Sequence, residues 1–310
     1  MPSDDDPNLA CRRLRNRPAW RQRDGGRRSG RGAGKTWRKV RRVQGAAVDL
    51  TADAAKWGPA EYRLLGACAG LKKVTLDGKT LNDETLALLA GLNEVEEFST
   101  NQSTLTDDGY RHFAAFTKLR GLSLWHPSWS LESFTGSGLA HLKSLPNLRR
   151  LTFAGSTTGD AAYAAVGELA QLEEFHTWHT MPTPGAIKHL AKLPTLKVVR
   201  IGQRLPRWGG EPLKPTLDGA AVAVLAGVPS LERLELFEAV FTAADLEPLA
   251  KLPNLKQLKI HQTAIAPADV EKLRTSLPNV KFDFTPLAAG EAETLLVKKL
   301  RLTVPDELKQ

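Results

Sequence analysis

The sequence predicts an α/β solenoid, built from a strand-then-helix unit repeated along most of the chain. Three observations predict it. The stretch 231–255 reads LERLELFEAVFTAADLEPLAKLPNL, in which Leu231, Leu234 and Leu236 have the spacing of a short strand with one buried face. After Thr242, residues Leu246, Leu249 and Leu252 fall three apart, the spacing of a helix with one apolar stripe. The same pattern recurs at starts Gly45, Leu71, Val95, Leu119, Leu148, Leu172, Leu196, Leu231, Leu255 and Val280, with steps of 26, 24, 24, 29, 24, 24, 35, 24 and 25 residues. A period in the twenties is the mark of a solenoid.

The N-terminal 44 residues precede the repeats and differ in composition. They hold 14 Lys and Arg against 4 Asp, leaving 29 basic and 30 acidic residues for the remainder. The net charge of +9 therefore belongs to this segment, and the body is close to neutral. Arg, Gly, Pro and Ser dominate, and apolar side chains are too few to offset the entropy of ordering. Residues 1–44 read as a disordered basic tail. Three explanations stand open: a nucleic-acid-binding arm that releases phosphate counterions, a solvated tail without a specific task, or translation from a start site placed too far upstream. Within it, Ser29–Thr36 (SGRGAGKT) resembles a phosphate-binding P-loop. Ser29 stands where that motif has Gly, and Arg27 and Arg28 stand where a buried strand should precede it, so the context fails.

From Gly45 to Phe284 each unit supplies a strand pair: Val48/Leu50, Val74/Leu76, Phe98/Thr100, Leu122/Leu124, Leu151/Phe153, Phe175/Thr177, Val199/Ile201, Leu234/Leu236 and Leu258/Ile260. The stretch 280–284 reads as one last strand. Asn82, Thr106, Thr135, Thr183, Asp218 and Thr242 stand where a helix N-cap belongs, since their side-chain oxygens can accept a first-turn amide. Stripes such as Leu86/Leu89/Leu92 and Leu139/Leu142/Leu145 follow. Pro146, Pro194, Pro229, Pro253 and Pro278 then stop the helices.

An L-x-x-L-x-L strand, then a Ser or Thr, then T-D at the helix start resembles the leucine-rich repeat family in its helix-containing, ribonuclease-inhibitor-like form. Val95–Lys118, with Leu105, Thr106 and Asp107, and Leu71–Asn93, with Leu81, Asn82 and Asp83, match it best. The resemblance implies a right-handed horseshoe of about nine repeats over 45–284, with parallel strands on the concave face and helices on the convex face. Stability would come from neighbouring repeats stacking on one another. Residues 285–310, with the amphipathic stretch Ala292–Leu300, are expected to cap the C-terminal end. The family usually keeps Asn or Cys nine places after the first Leu. Here Ser103, Ser156, Thr180 and Thr263 stand there, so the polar ladder between repeats should be less continuous.

No catalytic set emerges. His176 and His179 form an H-x-x-H pair, but on a strand those positions do not share a face. His126 sits at the same repeat position as His179, two strands away. A metal site needs more ligands than these, so no metal, cofactor or catalytic residue is expected. Two cysteines, Cys11 and Cys68, make no disulfide framework and suggest a reducing, cytoplasmic setting. No apolar run approaches the ~20 residues of a membrane helix.

The stronger signal is a column just after the strands: Asp77, Asn101, Trp125, Ala154, Trp178, Gly202, Phe237, His261. Large rings alternate with small residues. Trp125 and His126 should face Trp178 and His179 across a floor of Ala154 and Gly155, giving a slot two strand spacings, or ~10 Å, wide. Beside it, the strand face runs Thr75, Ser99, Ser123, Thr152, His176, Arg200, Glu235, Lys259, first small and neutral, then charged. The two long repeats insert 126–134 and 202–215 at the same rim, bringing Trp129, Arg204, Arg207 and Trp208. Exposed Trp and Arg favour binding hot spots; alternatively these rings pin their own loops. The expected function is a non-enzymatic protein-binding module that uses its concave face and central rim. The alternative is a nucleic-acid-associated protein anchored by the tail.

Overall fold

The computed structural model describes residues 38–43, 46–205 and 215–309. Eleven strands form one sheet in chain order: β1 (Arg38–Val43), β2 (Ala46–Asp53), β3 (Lys73–Asp77), β4 (Glu97–Asn101), β5 (Gly121–Trp125), β6 (Arg150–Ala154), β7 (Glu174–Trp178), β8 (Val198–Gly202), β9 (Arg233–Phe237), β10 (Gln257–His261) and β11 (Lys281–Thr285). From β2 to β11 every neighbouring pair is parallel. Equivalent residues stack in rows, so Val74, Phe98, Leu122, Leu151, Phe175, Val199, Leu234 and Leu258 share one level. All eight are at most 1% exposed, so the rows form one continuous core. Burying each large aliphatic side chain contributes roughly 1.5–3 kcal/mol.

The tail boundary needs correction. Residues 38–43 form β1, which pairs antiparallel with β2. A first parallel strand leaves one edge of unpaired amides and carbonyls, and β1 satisfies it. Arg41 on β1 donates from Nη2 to Asp49 at 3.1 Å, and this pairing holds the Asp49 carboxyl below its usual range. Residues 1–37 lie outside the described residues.

The convex side carries short elements. Pro59–Gly66, Asp83–Ala87, Asp160–Val166, Gly219–Leu225 and Pro267–Ser276 are α-helical, whereas Asp108–Ala115, Ser137–Ser144 and Pro184–Lys192 are 3₁₀. Helices are thus shorter, and more often 3₁₀, than the helix-containing type implies. A 24-residue repeat that spends five residues on its strand has few left for this side, and short 3₁₀ runs span more distance per residue. Asn82, Asp218 and Thr242 cap their own helices as expected. Thr106 and Thr135 likewise accept a first-turn amide, from Gly109 and Ser137 at 3.2 Å, and Thr106, Thr135 and Thr183 are each also bound by the aspartate of the preceding repeat. Asp83 accepts from the Thr106 amide and hydroxyl, Asp107 from those of Thr135, and Asp160 from those of Thr183, at 2.6–2.9 Å. This aspartate ladder does part of what the Asn position fails to do. There, buried Ser103 Oγ lacks a partner, Ser156 Oγ donates to the Pro127 carbonyl at 3.3 Å, and Thr180 meets Tyr163.

Cys68, buried on the first helix stripe, is disulfide-bonded; Cys11 lies outside the described residues. The segment after β11 packs its Leu296, Leu300, Leu302 and Val304 into a separate cluster with Ala264, Val240 and Leu205, in the loops after β10, β9 and β8. No helix among the described residues is long and apolar enough to cross a membrane.

Candidate binding surface

Most strands end on a residue with left-handed backbone. Gln102, His126, His179, Glu238 and Gln262 have φ between 44° and 63°, and Gly78 and Gly155 stand at the same place. A non-glycine side chain there costs roughly 1–2 kcal/mol. The bend sets these side chains along the rim, where several bond a neighbour. His126 Nδ1 lies 2.9 Å from Asn101 Oδ1 in the preceding repeat, and His179 Nε2 lies 2.7 Å from Glu238 Oε2. The two histidines therefore engage different partners and do not flank a common mouth. Glu238 is only 4% exposed and was not singled out from sequence; its repeat position, equivalent to His179, was the available signal.

The expected slot is closed. Trp125 and Trp178 lean together over Ala154, with centroids 5.3 Å apart and planes at 66°. Ala154 is 1% exposed beneath them. The same thing happens one step on. Trp178 meets Phe237 edge-to-face at 5.5 Å across Gly202, where a Cβ would lie 2.6 Å from the Phe237 ring. Phe237 then stacks on His261 at 5.1 Å. Side chains two strands apart are ~10 Å apart at the backbone, which two rings can bridge when the strand between them carries Ala or Gly. The slot is thus a ridge, Trp125–Trp178–Phe237–His261, with its first two contacts edge-to-face and its last one stacked, geometries that aromatic pairs favour. Phe237 is 3% exposed, whereas Trp125 and Trp178 are half-exposed.

Arg200 lies over this ridge. Its guanidinium carbon stands 4.8 Å from the Trp178 centroid and 5.0 Å from that of Phe237. Arg200 Nε is 3.1 Å from Glu235 Oε1, close enough for an ion pair, though the angle makes no hydrogen bond. The same oxygen takes a contact from His261 Nε2 at 2.7 Å and faces Lys259 Nζ at 3.6 Å. Glu235 is therefore the hub of the charged face. His176 beside it is half-buried, and that burial, assisted by Arg200, lowers its pKa below the ordinary 6.5 while Glu174 opposes the shift.

The two insertions differ. Trp129 is 47% exposed, with Lys79 Nζ 5.3 Å over its ring, on a loop anchored by the Ser128 amide to the Ser103 carbonyl. Arg204 is not an exposed hot spot. It is 8% exposed and donates from Nη1 to the Pro182 carbonyl at 2.9 Å. Thr216 Oγ1 donates to the same carbonyl at 3.1 Å, so both ends of this insertion are tied to one point. Buried Gln203 completes the tie, accepting from the amides of Thr216 and Leu217 and donating to the Leu217 carbonyl. Arg207 and Trp208 lie outside the described residues. Among the described residues no group of three or more His, Cys, Asp or Glu is placed to hold a metal.

No protein-family model matches the sequence, and no curated protein matches it. Solved structures that resemble it include an internalin from Listeria monocytogenes, at 19% identity over 75% of this chain and 60% of that one, with a TM-score of 0.44. A TLR13–ssRNA13 complex follows at 17% over 77% and 32%, with a TM-score of 0.45, and a leucine-rich repeat protein from Leptospira interrogans at 16% over 72% and 68%, with 0.34. The chain spans less than two thirds of the length of the first two. The molecule's own geometry decides its class: stacked parallel L-x-x-L-x-L strands, one short helical element per turn, and a single core between them make it a leucine-rich repeat solenoid.

Proposed function

We propose that this protein is a non-enzymatic recognition module that holds a protein partner on the concave face and rim of β5–β10. The observation that carries the reading is the ridge Trp125–Trp178–Phe237–His261 with Arg200 laid across it. Its two tryptophans are half-exposed on the solvent side of the sheet, outside the leucine core. Trp and Arg clustered near the centre of a surface are what binding hot spots favour. The ridge offers apolar edges to a partner, and the Glu235 hub with Arg200, Lys259 and His261 beside it supplies orientation by charge. His126, His176 and His179 flank the ridge, and exposed Trp129 lies on the rim loop after β5.

Affinity capture from total cell extract tests this. Trp178→Ala should release the captured protein, with a loss of roughly 2 kcal/mol or more in its affinity. Lys188→Ala, on the exposed convex side, should capture as wild type does. If Trp178→Ala lowers the thermal midpoint while the folded fraction captures normally, the ridge is structural and the reading fails.

A further inference from the structure

The two ends of the sheet are finished differently. β1 closes the N-terminal edge with an antiparallel strand that reads RKVRRV. Among the described residues nothing pairs with the outer edge of β11. Lys281, Asp283 and Thr285 are exposed, and Phe282 and Phe284, which continue the core rows, are only half-covered. Arg274 lies over one face of Phe282 at 4.7 Å.

We propose that β11 is a two-fold interface, at which a second copy of this chain adds its own β11 in antiparallel register. A two-fold axis requires each strand to meet an identical one running the other way. Hydrogen-bond parity then limits the registers. The Lys281 amide donates to the carbonyl of Lys256, the residue before β10, so Lys281, Asp283 and Thr285 turn their backbone groups inward. Phe282 and Phe284 turn theirs outward. In an antiparallel ladder, outward residues must stand opposite outward residues.

Charge selects among the permitted registers. With Phe282 opposite the partner's Phe282, Lys281 faces the partner's Asp283 and Asp283 faces the partner's Lys281. These are non-hydrogen-bonded positions, where side chains stand closest. Moving the axis to Asp283 sets two aspartates face to face; moving it to Lys281 sets two lysines face to face. Like charges directly opposite one another destabilise a strand pair. The KFD triplet is thus self-complementary about Phe282 alone. In that register the half-covered phenylalanines of one copy lie against those of the other, and both concave faces stay on the same side.

Light scattering and sedimentation across a concentration series test the proposal on the full chain. The wild type should approach twice the chain mass as concentration rises. Lys281→Asp and Asp283→Lys, each alone, should shift the dimerisation constant at least tenfold toward monomer. The double swap, Lys281→Asp with Asp283→Lys, should restore it. Lys259 lies beside Asp283 in β10, and the cost of placing a lysine there is common to the single and double variants. Circular dichroism and thermal midpoints verify that every variant is folded. A wild type that stays monomeric throughout the series overturns the proposal. So does a dimer that ignores the single swaps, or one that the double swap fails to restore.

Discussion

The concave surface has two halves on one identical interior. From β3 to β6 the outward strand column is Thr75, Ser99, Ser123 and Thr152, short hydroxyl side chains. From β7 to β10 it is His176, Arg200, Glu235 and Lys259, long groups that contact one another and the aromatic ridge. Beneath both halves the inward residues are equally buried. The core sets the solenoid, and the outward column is free to differ because it contributes little to stacking. Charged and aromatic side chains therefore concentrate in one half without altering the repeat.

The sharpest way to break this comparison is to show that the interiors are unequal. Leu76→Ala in β3, and Leu234→Ala or Leu258→Ala in β9 and β10, should each cost about 2–5 kcal/mol in denaturant unfolding. A loss under about 1 kcal/mol at both Leu234 and Leu258 would place them in the surface range and contradict the register. A smaller effect separates how the halves are joined. Asp107 bonds the amide and hydroxyl of Thr135 and the amide of Gly138, all in the next repeat, whereas Asp218 caps its own helix at Ala221. Asp107→Ala should cost about 2 kcal/mol and Asp218→Ala about 1, from the usual range of lost caps. Equal losses, measured the same way, would mean that the cross-repeat bonds add nothing.

The smallest expected effect is a pH dependence confined to the charged half. His176 has its folded pKa below its ordinary 6.5, chiefly because burial disfavours the imidazolium. The unfolded chain then binds the proton first as pH falls, so stability drops between 6.5 and the depressed folded value and is fully present above 6.5. His176→Gln should flatten that part of the stability profile, while Ser123→Ala should leave it unchanged. A slope indifferent to His176→Gln would assign the acid sensitivity elsewhere.

The repeat starts, the inward pairs and most caps were legible because each depends on spacing within one unit. Asp83, Asp107 and Asp160 were visible only as the second letter of a motif. That each bonds the next repeat depends on stacking, which no single unit contains. The ridge was legible as an alternation of rings with Ala154 and Gly202. Its closure was not, because rotamers decide whether rings two strands apart stand as walls or fall together over the gap. Arg204 was misjudged for a similar reason: its guanidinium reaches back to a carbonyl in the preceding repeat.

By itself the sequence determined the period, the strand and helix faces, and which columns reach the surface, since these follow from the geometry of a regular backbone and the burial of leucine. Only the tertiary structure decided what those columns do. It made β1 a strand by giving it an unpaired edge to satisfy. It sent the C-terminal segment to the rim at Ala264, Val240 and Leu205. It also turned a slot into a ridge with Arg200 upon it, because contacts between side chains on different repeats exist only once the repeats are stacked.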